Sequence, residues 1–249
     1  MSEREYHDLH YEQEAARIQG TPLFTHVHDR TVREFLRRTG IGRTHRMLSL
    51  GCGDGTIELR LAPCVGDIVG IDVSSVATEK ARARAKQAGL TNLSFLVSSP
   101  DRLQLDGLGQ FDCVGAFAFL HHLSDPMTRD TLAAARRALR PGGVLYSSDP
   151  SRRRLVGHFT RFVRGTYERY HSPDERELDP DTLIALAEEA GFTQPRIAYV
   201  DYFLGPLAWL APGTPSWVVP ILAGLDDLAL SVPLLRRYAS SFSLLARAS

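Results

Sequence analysis

Three glycines and one aspartate form the clearest chemical pattern in the sequence. Gly51, Gly53 and Gly55 follow one short apolar run, and Asp72 ends the next run, 21 residues after the first glycine. Glycine has no Cβ, so such a loop can turn sharply and bring the backbone close to a bound molecule. A glycine loop after one strand and an acid at the tip of the next is how a Rossmann-like sheet holds a nucleoside, with the acid accepting hydrogen bonds from both ribose hydroxyls. The pattern therefore predicts a nucleoside site; the alternative is a tight strand-to-helix turn that binds nothing.

The context of the glycines narrows the type of site. Their spacing is Gly-x-Gly-x-Gly rather than the Gly-x-Gly-x-x-Gly of dinucleotide enzymes. The segment 48–55, Leu-Ser-Leu-Gly-Cys-Gly-Asp-Gly, resembles motif I of the class I S-adenosylmethionine (SAM)-dependent methyltransferases, in particular those of ubiquinone biosynthesis and of natural products. Segment 110–123 resembles the family's Phe-Asp-x-Val…Leu-His-His-Leu, and 139–145 resembles the turn before its fifth strand. The resemblance covers about residues 45–200 and implies SAM as the cofactor and S-adenosylhomocysteine as its product.

The resemblance assigns five residues of these segments to the cofactor. Gly51, Cys52 and Gly53 would cradle the methionine end of SAM, with Cys52 acting through its backbone. Asp72 matches the ribose-binding acid, and Val73 would lie against the adenine. The alternative for Asp72 is an aspartate that caps a helix or lies on the surface.

Three positions depart from the family pattern. The family usually has an acid two residues before the first glycine, where this chain has Ser49, so any water-mediated hold on the SAM ammonium must come from elsewhere. Ser99 and Pro100 occupy the positions that hold adenine in the family. A serine can still accept a hydrogen bond, but a proline has no N–H to donate. Either Asp101 takes over this contact, together with Arg102, or adenine is held more loosely.

The next candidates lie at the end of the fourth predicted strand and before the first. Ligands of open parallel sheets bind at the carboxyl ends of the strands, which places Phe117 and His122 near the methyl group. His122 is the leading candidate for a general base, which only a hydroxyl or a protonated amine acceptor needs; the alternative is a histidine that packs and hydrogen-bonds the loop. In related enzymes an N-terminal helix folds over SAM, so Tyr11 and Arg30 are candidates for contacts to its carboxylate. The alternative is that both are ordinary surface residues.

An arginine-rich insertion follows the fifth strand and is a candidate for the substrate side of the site. Within this stretch, 152–177, Tyr167 and His171 are further catalytic candidates, and Arg164 and Tyr170 are candidates for substrate binding. Arginine forks suit a carboxylate or a phosphate, whereas the alternative is a solvated helix face.

A second insertion, 201–240, is apolar and broken by prolines. No residue from Phe203 to Leu225 is charged, but four prolines interrupt this run and argue against a membrane-spanning helix. The insertion is expected to cover the sheet edge, enclose an apolar substrate or form a dimer interface. Trp209 is the candidate aromatic anchor for a substrate.

The elements that must position these residues alternate between strands and helices. Strands are predicted at about 46–50, 67–72, 93–97, 111–116, 143–148, 196–200 and 241–246. Ser74 is predicted to cap the helix after the second strand, and a further helix is predicted to begin at Ser124 or Asp125 and to end at Arg140. The alternation predicts an α/β fold, a Rossmann-like, seven-stranded, mostly parallel sheet with helices on both faces, and the resemblance implies that the last strand is antiparallel. Residues 1–45 are predicted to be N-terminal helices that cover the cofactor site, and 46–249 to be the SAM-binding core.

Composition and charge narrow the classes of function. The 29 basic residues balance the 29 acidic ones, so no broad basic surface for nucleic acid is expected. The three cysteines suggest neither a disulfide framework nor a metal site, and the N-terminus has no apolar stretch, so a cytoplasmic protein is expected.

These observations lead to one prediction of function and two alternatives. The prediction is a methyltransferase for a small, largely apolar metabolite, either a monomer or a homodimer, with no transmembrane segment but compatible with peripheral membrane contact. One alternative is a SAM-fold protein without methyl transfer, such as a cyclase, scaffold or partner subunit. The other is an RNA or protein methyltransferase, against which the neutral charge balance argues.

Overall fold

A computed structural model of the protein describes residues 20–98, 108–155 and 176–249. The strands form one seven-stranded sheet in the order β3-β2-β1-β4-β5-β7-β6. They are β1 Arg46–Leu50, β2 Asp67–Asp72, β3 Leu93–Val97, β4 Phe111–Phe117, β5 Leu139–Pro150, β6 Phe192–Asp201 and β7 Ser241–Ala248. The strands from β3 to β5 pair in parallel, whereas β7 pairs antiparallel with both β5 and β6. The predicted fold class is confirmed, including the antiparallel last strand.

Helices cover both faces of this sheet. They are α1 Pro22–Thr39, α2 Thr56–Leu61, α3 Ser75–Gln87, α4 Asp125–Ala138, α5 Pro180–Glu189, α6 Leu204–Leu210, α7 Val219–Ser231 and α8 Pro233–Arg236. Successive side chains of a strand point to opposite faces, and Met47 and Leu48 of β1 accordingly belong to different core clusters. Leu48 packs with Leu132 of α4, and Met47 packs with Phe35 of α1. Both faces of the central strands are therefore buried, as a parallel sheet requires.

The parallel topology gathers the predicted site at one edge. The carboxyl ends of β1, β2, β4 and β5 meet there because each parallel strand starts from the opposite edge. The glycine loop follows β1, Asp72 ends β2, Phe117 ends β4 and Asp149 lies next to the end of β5. Residues far apart in sequence are thus brought together by strand order alone.

Local signals set most element ends where they were predicted. Ser74 caps α3, with its Oγ accepting a hydrogen bond from the Ala77 N–H at 3.0 Å. The predicted helix over 124–140 is too long, since α4 ends at Ala138 and β5 already begins at Leu139. Leu139 pairs with Phe111 of β4, so the last residues that were predicted as helix belong to the sheet instead.

The second insertion folds as three short helices, α6 to α8, with a turn of 3-10 helix at Ser216–Val218 between the first two. Leu204 and Val219 of the insertion pack against Leu23 and Phe24 at the start of α1. None of the helices within the described ranges is long and apolar enough to cross a membrane. The predicted division at residue 45 stays a prediction.

Candidate functional site

The glycine loop adopts a backbone that side chains disfavour. Gly51, Gly53 and Gly55 have φ values of 65°, 51° and 76°, in the left-handed region that glycine enters without steric cost. The Cys52 N–H donates to the Ile71 carbonyl at 3.1 Å, which ties the loop to the end of β2. Three glycines at alternate positions are therefore what this turn requires.

Asp72 is joined directly to this loop. Its Oδ2 accepts a hydrogen bond from the Gly53 N–H at 2.8 Å, and its Oδ1 accepts one from the Ser74 N–H at 2.9 Å. The carboxylate is buried, at 9% exposure. Because an ionised carboxylate offers about four acceptor positions, these two bonds are compatible with further bonds from ribose hydroxyls. Val73 follows Asp72 and is half-buried. Cys52 is buried, and this burial raises the pKa of its thiol, with smaller contributions from the charges of Glu58 and Asp72.

An acid that sequence reasoning missed lies beneath the loop. Ser49, the residue that replaces the family's acid, donates from Oγ to Glu58 Oε1 at 2.5 Å. Glu58 comes from α2 and is 1% exposed, and its Oε2 has no hydrogen-bond partner among the described residues. Burial raises the pKa of Glu58 to about 7, although the bond from Ser49 opposes the shift. A carboxyl group is thus present near Ser49, contributed by a helix instead of the strand.

Replacing Glu58 with glutamine is expected to change how stability depends on pH. The pKa of Glu58 in the folded protein is about 7, above the ordinary value of 4.5, so the folded state favours the protonated form. Glu58 therefore contributes stability that is fully present below about pH 4.5 and is lost as the pH rises through about 7. Over this range its contribution to the free energy of unfolding falls by on the order of 3 kcal/mol. Denaturant melts of Glu58→Gln and wild type between pH 4.5 and 8 should therefore diverge, with the variant gaining relative stability as the pH rises. Glu189→Gln, at an exposed site on α5, controls for the change of residue type; equal pH slopes for wild type and Glu58→Gln would contradict the expectation.

Phe119 is a second residue that sequence reasoning missed. A Cβ built on Gly51 would lie 2.1 Å from Phe119 Cδ2 and 2.9 Å from Phe119 Cβ, so the ring packs directly on the first glycine of the loop. The preceding residue, Ala118, has a φ of 48°, which is uncommon for a residue with a side chain and is found at functional turns. The end of β4 is therefore fitted closely to the glycine loop.

Gly51→Ala is expected to destabilise the protein more than Gly40→Ala does. Both glycines have φ near 70°, so both variants carry the left-handed penalty of about 1 kcal/mol. At Gly40 a new Cβ meets nothing within 4 Å, whereas at Gly51 it overlaps the base of the Phe119 side chain. The extra overlap should cost roughly 1–3 kcal/mol more. Chemical denaturation measures the difference, and equal losses in the two variants would show that Phe119 does not pack here.

A histidine–aspartate pair lies beside Phe119 at the carboxyl ends of β4 and β5. His121 Nδ1 is 3.1 Å from Asp149 Oδ1, and the same oxygen accepts from the Phe119 N–H at 3.1 Å and the His121 N–H at 3.2 Å. Asp149 is 2% exposed, and its Oδ2 has no hydrogen-bond partner within the described part of the chain. Because a carboxylate only accepts, the Nδ1 contact requires a proton on Nδ1, which leaves Nε2 as the acceptor of a neutral ring. The His122 ring stacks against His121 with centroids 4.1 Å apart.

Three of the predicted site residues have contacts elsewhere in the fold. Phe117 packs edge-on against Phe35, with centroids 5.2 Å apart, so its ring contacts the aromatic cluster under α1. Arg30 donates to Asp227 of α7 at 2.9 Å. Trp209 packs edge-on against Phe24, with centroids 4.9 Å apart. Their roles toward cofactor or substrate stay predictions. The other predicted site residues lie outside the described residues: Tyr11, Ser99, Asp101, Arg164, Tyr167, Tyr170 and His171.

The N-terminal helix α1 contacts α2, the helix that follows the glycine loop, and its role as a cover over the cofactor stays a prediction. Arg60 of α2 donates to Asp29 of α1 at 3.2 Å, which joins the two helices. Burial, reinforced by the charge of Arg60, lowers the pKa of His28 on α1 to about 4. His28 is therefore neutral at physiological pH. Within the glycine loop, Asp54 forms an ion pair with Arg84 of α3 at 2.7 Å.

The site fits a nucleoside joined to a charged amino-acid group. Gly53 and Asp72 would form the nucleoside end, next to the start of the loop where Phe119 packs on Gly51. The unsatisfied Glu58 Oε2 belongs to a buried carboxyl group, whose ionised form a neighbouring cation would favour. These features agree with SAM, which carries an adenosine and a cationic methionine.

Comparisons with known proteins point to the same cofactor. A family model described as "Methyltransferase domain" matches residues 47–143, which include the glycine loop, Asp72 and the histidine pair. The ubiquinone biosynthesis O-methyltransferase of Roseobacter denitrificans is 28% identical over 66% of this chain and 65% of that protein. The enzyme of the same name from Acinetobacter baylyi is 26% identical over 67% of this chain and 71% of that protein. The chain thus spans about two thirds of the length of these curated relatives.

Solved structures show the same fold. Magnesium protoporphyrin IX methyltransferase from Synechocystis, determined with bound S-adenosylhomocysteine, has a TM-score of 0.65 and 15% identity, with 99% of this chain and 97% of that chain covered. The [4+2]-cyclase SpnF has a TM-score of 0.62 and 23% identity, with coverages of 88% and 80%. Residues 47–143 of this chain, which hold the glycine loop and the acid of β2, thus match a methyltransferase domain, and the chain is similar to class I SAM-dependent methyltransferases, whose cofactor is S-adenosylmethionine.

Proposed function

We propose that the protein transfers the methyl group of SAM to an oxygen, nitrogen or carbon atom of a small, largely apolar metabolite, such as a natural product, an isoprenoid or a lipid-like molecule. The observation that carries the proposal is the joined pair of Gly53 and Asp72 within a matched methyltransferase domain. The curated relatives are named for O-methylation in ubiquinone biosynthesis, which favours an oxygen acceptor on a lipid-like substrate. The neutral charge balance argues against nucleic acid as the substrate, and the predicted cytoplasmic location agrees with this role.

Different residues of the site would bind different groups of the cofactor. Asp72 would accept from the ribose hydroxyls while it holds the Gly53 N–H, so ribose binding and loop geometry depend on the same carboxylate. Glu58 would replace the family's acid toward the SAM ammonium, directly or through a water molecule. An unpartnered buried carboxylate oxygen is costly, and this contact would relieve the cost.

When bound, SAM supplies a sulfonium-linked methyl group that an in-line nucleophile can take. The chain must then align the acceptor and exclude water. For a hydroxyl acceptor, we assign the role of general base to His121, whose Nε2 would take the proton of the hydroxyl. Nε2 is free to accept because the ring's own proton is held at Nδ1 by Asp149. His122, the sequence-based candidate, stays the alternative base, and only substitution of each histidine separates the two.

Ligand binding by the whole chain is the first test of this function. Isothermal titration calorimetry should detect SAM and S-adenosylhomocysteine with micromolar affinity, and radiolabelled SAM should then transfer methyl groups to members of a panel of apolar phenols, amines and enols. Folded protein that binds neither ligand would overturn the proposal. Two control acceptors should not be methylated: the polar amine glycine and an RNA oligonucleotide.

A second function has one observation in its favour. A structural neighbour with a TM-score of 0.62 is a [4+2]-cyclase, so this fold supports chemistry without methyl transfer. Binding of SAM with no turnover on any acceptor of the panel would favour this reading, particularly if S-adenosylhomocysteine binds as tightly as SAM.

A further inference from the structure

The outward side of the second insertion carries most of the exposed large apolar side chains of the described residues. Eight of the twelve lie in this segment: Trp217, Ile221, Leu225, Leu228, Val232, Leu234, Leu235 and Tyr238. Trp217 is 70% exposed and Leu228 is 65% exposed. Monomeric soluble proteins seldom expose contiguous apolar patches of this extent, and such patches mark interaction surfaces.

Five of these side chains follow one another at successive steps of four, four, three and four residues; three lie on α7, one in the 3-10 turn before it and one directly after its last residue. We call this set the outer stripe: Trp217, Ile221, Leu225, Leu228 and Val232. That spacing keeps side chains on one face of a helix. Gly224 lies in the middle of the same face, and a Cβ built there meets no atom within 4 Å. A second helix can therefore approach the α7 backbone closely at its centre.

The opposite face of α7 fixes the stripe in place. Val219 is buried in the cluster that contains Leu23 of α1. Asp226 is fully buried and accepts a hydrogen bond from the Phe203 N–H at 2.7 Å. Asp227 pairs with Arg30 at 2.9 Å. The fold thus uses the inner face of α7 and holds the outer stripe toward solvent on a rigid support, which lowers the entropy cost of binding.

Charge and area decide which partner suits this surface. Between Phe203 and Leu235 the charged residues are Asp226, which is buried, and Asp227, which pairs with Arg30 although its side chain is 70% exposed. Helices that bind membrane surfaces carry lysine and arginine for anionic headgroups; α7 has none, and the nearest ones in the sequence, Arg236 and Arg237, lie at the end of α8, outside the outer stripe. An uncharged apolar line is complementary to itself, as a two-fold interface requires. A standard interface buries about 800 Å² on each partner, so the dimer must also cover the exposed Leu234, Leu235 and Tyr238, which lie outside the outer stripe.

We propose that the outer stripe binds a second copy of this chain, with two α7 helices packed antiparallel about a two-fold axis near Gly224. In this arrangement Ile221 of one copy faces Leu228 of the other, and Leu225 packs beside Gly224. The inference does not depend on methyl transfer, since it uses no residue of the cofactor site. Dimers with a dissociation constant on the order of micromolar are expected for an interface of this size.

Sedimentation equilibrium of the full chain tests the proposal. The expected mass is twice the 27.6 kDa of one chain at concentrations above tens of micromolar. Leu228→Glu should weaken the dimer at least about 100-fold, because it buries an unpaired charge in the interface. Met127→Glu makes the same kind of change at an exposed residue of α4, on the other face of the sheet, and should leave the dimer unchanged. A wild-type chain that stays monomeric, or a dimer that Leu228→Glu leaves intact, would overturn the proposal.

Cross-linking adds a geometric test. In a Cys64→Ser background, which removes the exposed native cysteine, Gly224→Cys should form an intermolecular disulfide under mild oxidation because it lies at the axis. Ser231→Cys, exposed on the same helix but about 10 Å further from the axis, should not. Flotation with neutral and anionic phospholipid vesicles distinguishes a lipid surface. A monomer whose vesicle binding is lost in Leu228→Glu would assign the stripe to membranes and refute the dimer.

Discussion

Replacing Asp72 with alanine is expected to weaken SAM binding about 10- to 100-fold, or about 1.5–3 kcal/mol, for the loss of charge-assisted hydrogen bonds. The carboxylate would accept from the ribose hydroxyls, and it also holds the Gly53 N–H at 2.8 Å and the Ser74 N–H at 2.9 Å. Alanine therefore removes the contact to the ligand and loosens the loop that surrounds it. Titration calorimetry with SAM and S-adenosylhomocysteine measures the change.

Two further variants separate ligand contact from general damage. Asp67→Ala removes a carboxylate at the other end of β2, where it pairs with Arg46 at 2.8 Å, and should leave SAM affinity unchanged. Asp72→Asn keeps the size of the side chain and one acceptor oxygen but cannot accept from both the Gly53 and the Ser74 N–H groups, so it should lose some stability and bind SAM with intermediate affinity. Wild-type affinity in Asp72→Ala would show that the ribose is held by other groups.

The sheet could be predicted from the sequence because its strands are short apolar runs between turn signals. Val69 to Asp72 illustrates this, since the run ends at the residue that the fingerprint needs and β2 ends there too. The topology then follows from alternation with helices, which allows few arrangements. The ends of elements were harder to predict where hydrogen bonding within a helix competes with hydrogen bonding in the sheet. Leu139 is an example: the sequence pattern placed it in a helix, but it pairs with β4 in the sheet.

The contacts across the site could not be predicted in the same way. Glu58 reaches Ser49 because of the angle at which α2 leaves the glycine loop, and no local pattern encodes that angle. His121 and His122 are adjacent, so a sequence cannot tell which ring meets an acid; a single turn of 3-10 helix over Leu120–His122 decides it. Asp149, in contrast, could have been found. It lies at the end of a parallel strand, as Asp72 does, and the rule that selected Asp72 applies to it equally.

Replacing His121 with alanine is expected to lower kcat about 10²- to 10⁴-fold for a hydroxyl acceptor, the usual contribution of a general base. The variant should bind SAM nearly as wild type does, because the Asp72 and Gly53 contacts lie on other strands. His122→Ala is the matched control, since its ring stacks on His121 at 4.1 Å without the bond to Asp149. A large loss in His122→Ala with little change in His121→Ala would restore the sequence-based assignment.

Asp149→Asn tests whether the acid positions the histidine. The amide oxygen of asparagine can still accept from the Phe119 and His121 N–H groups, so the backbone of the turn should persist. The proton on His121 Nδ1 is then no longer fixed by a charged acceptor, and the ring can present the wrong tautomer to the acceptor hydroxyl. We therefore expect kcat to fall about 10²-fold or more with little change in KM for SAM, and the acidic limb of the pH profile of kcat/KM to shift. A merely structural aspartate would lower thermal stability and kcat together and leave the shape of the pH profile as it is in the wild type.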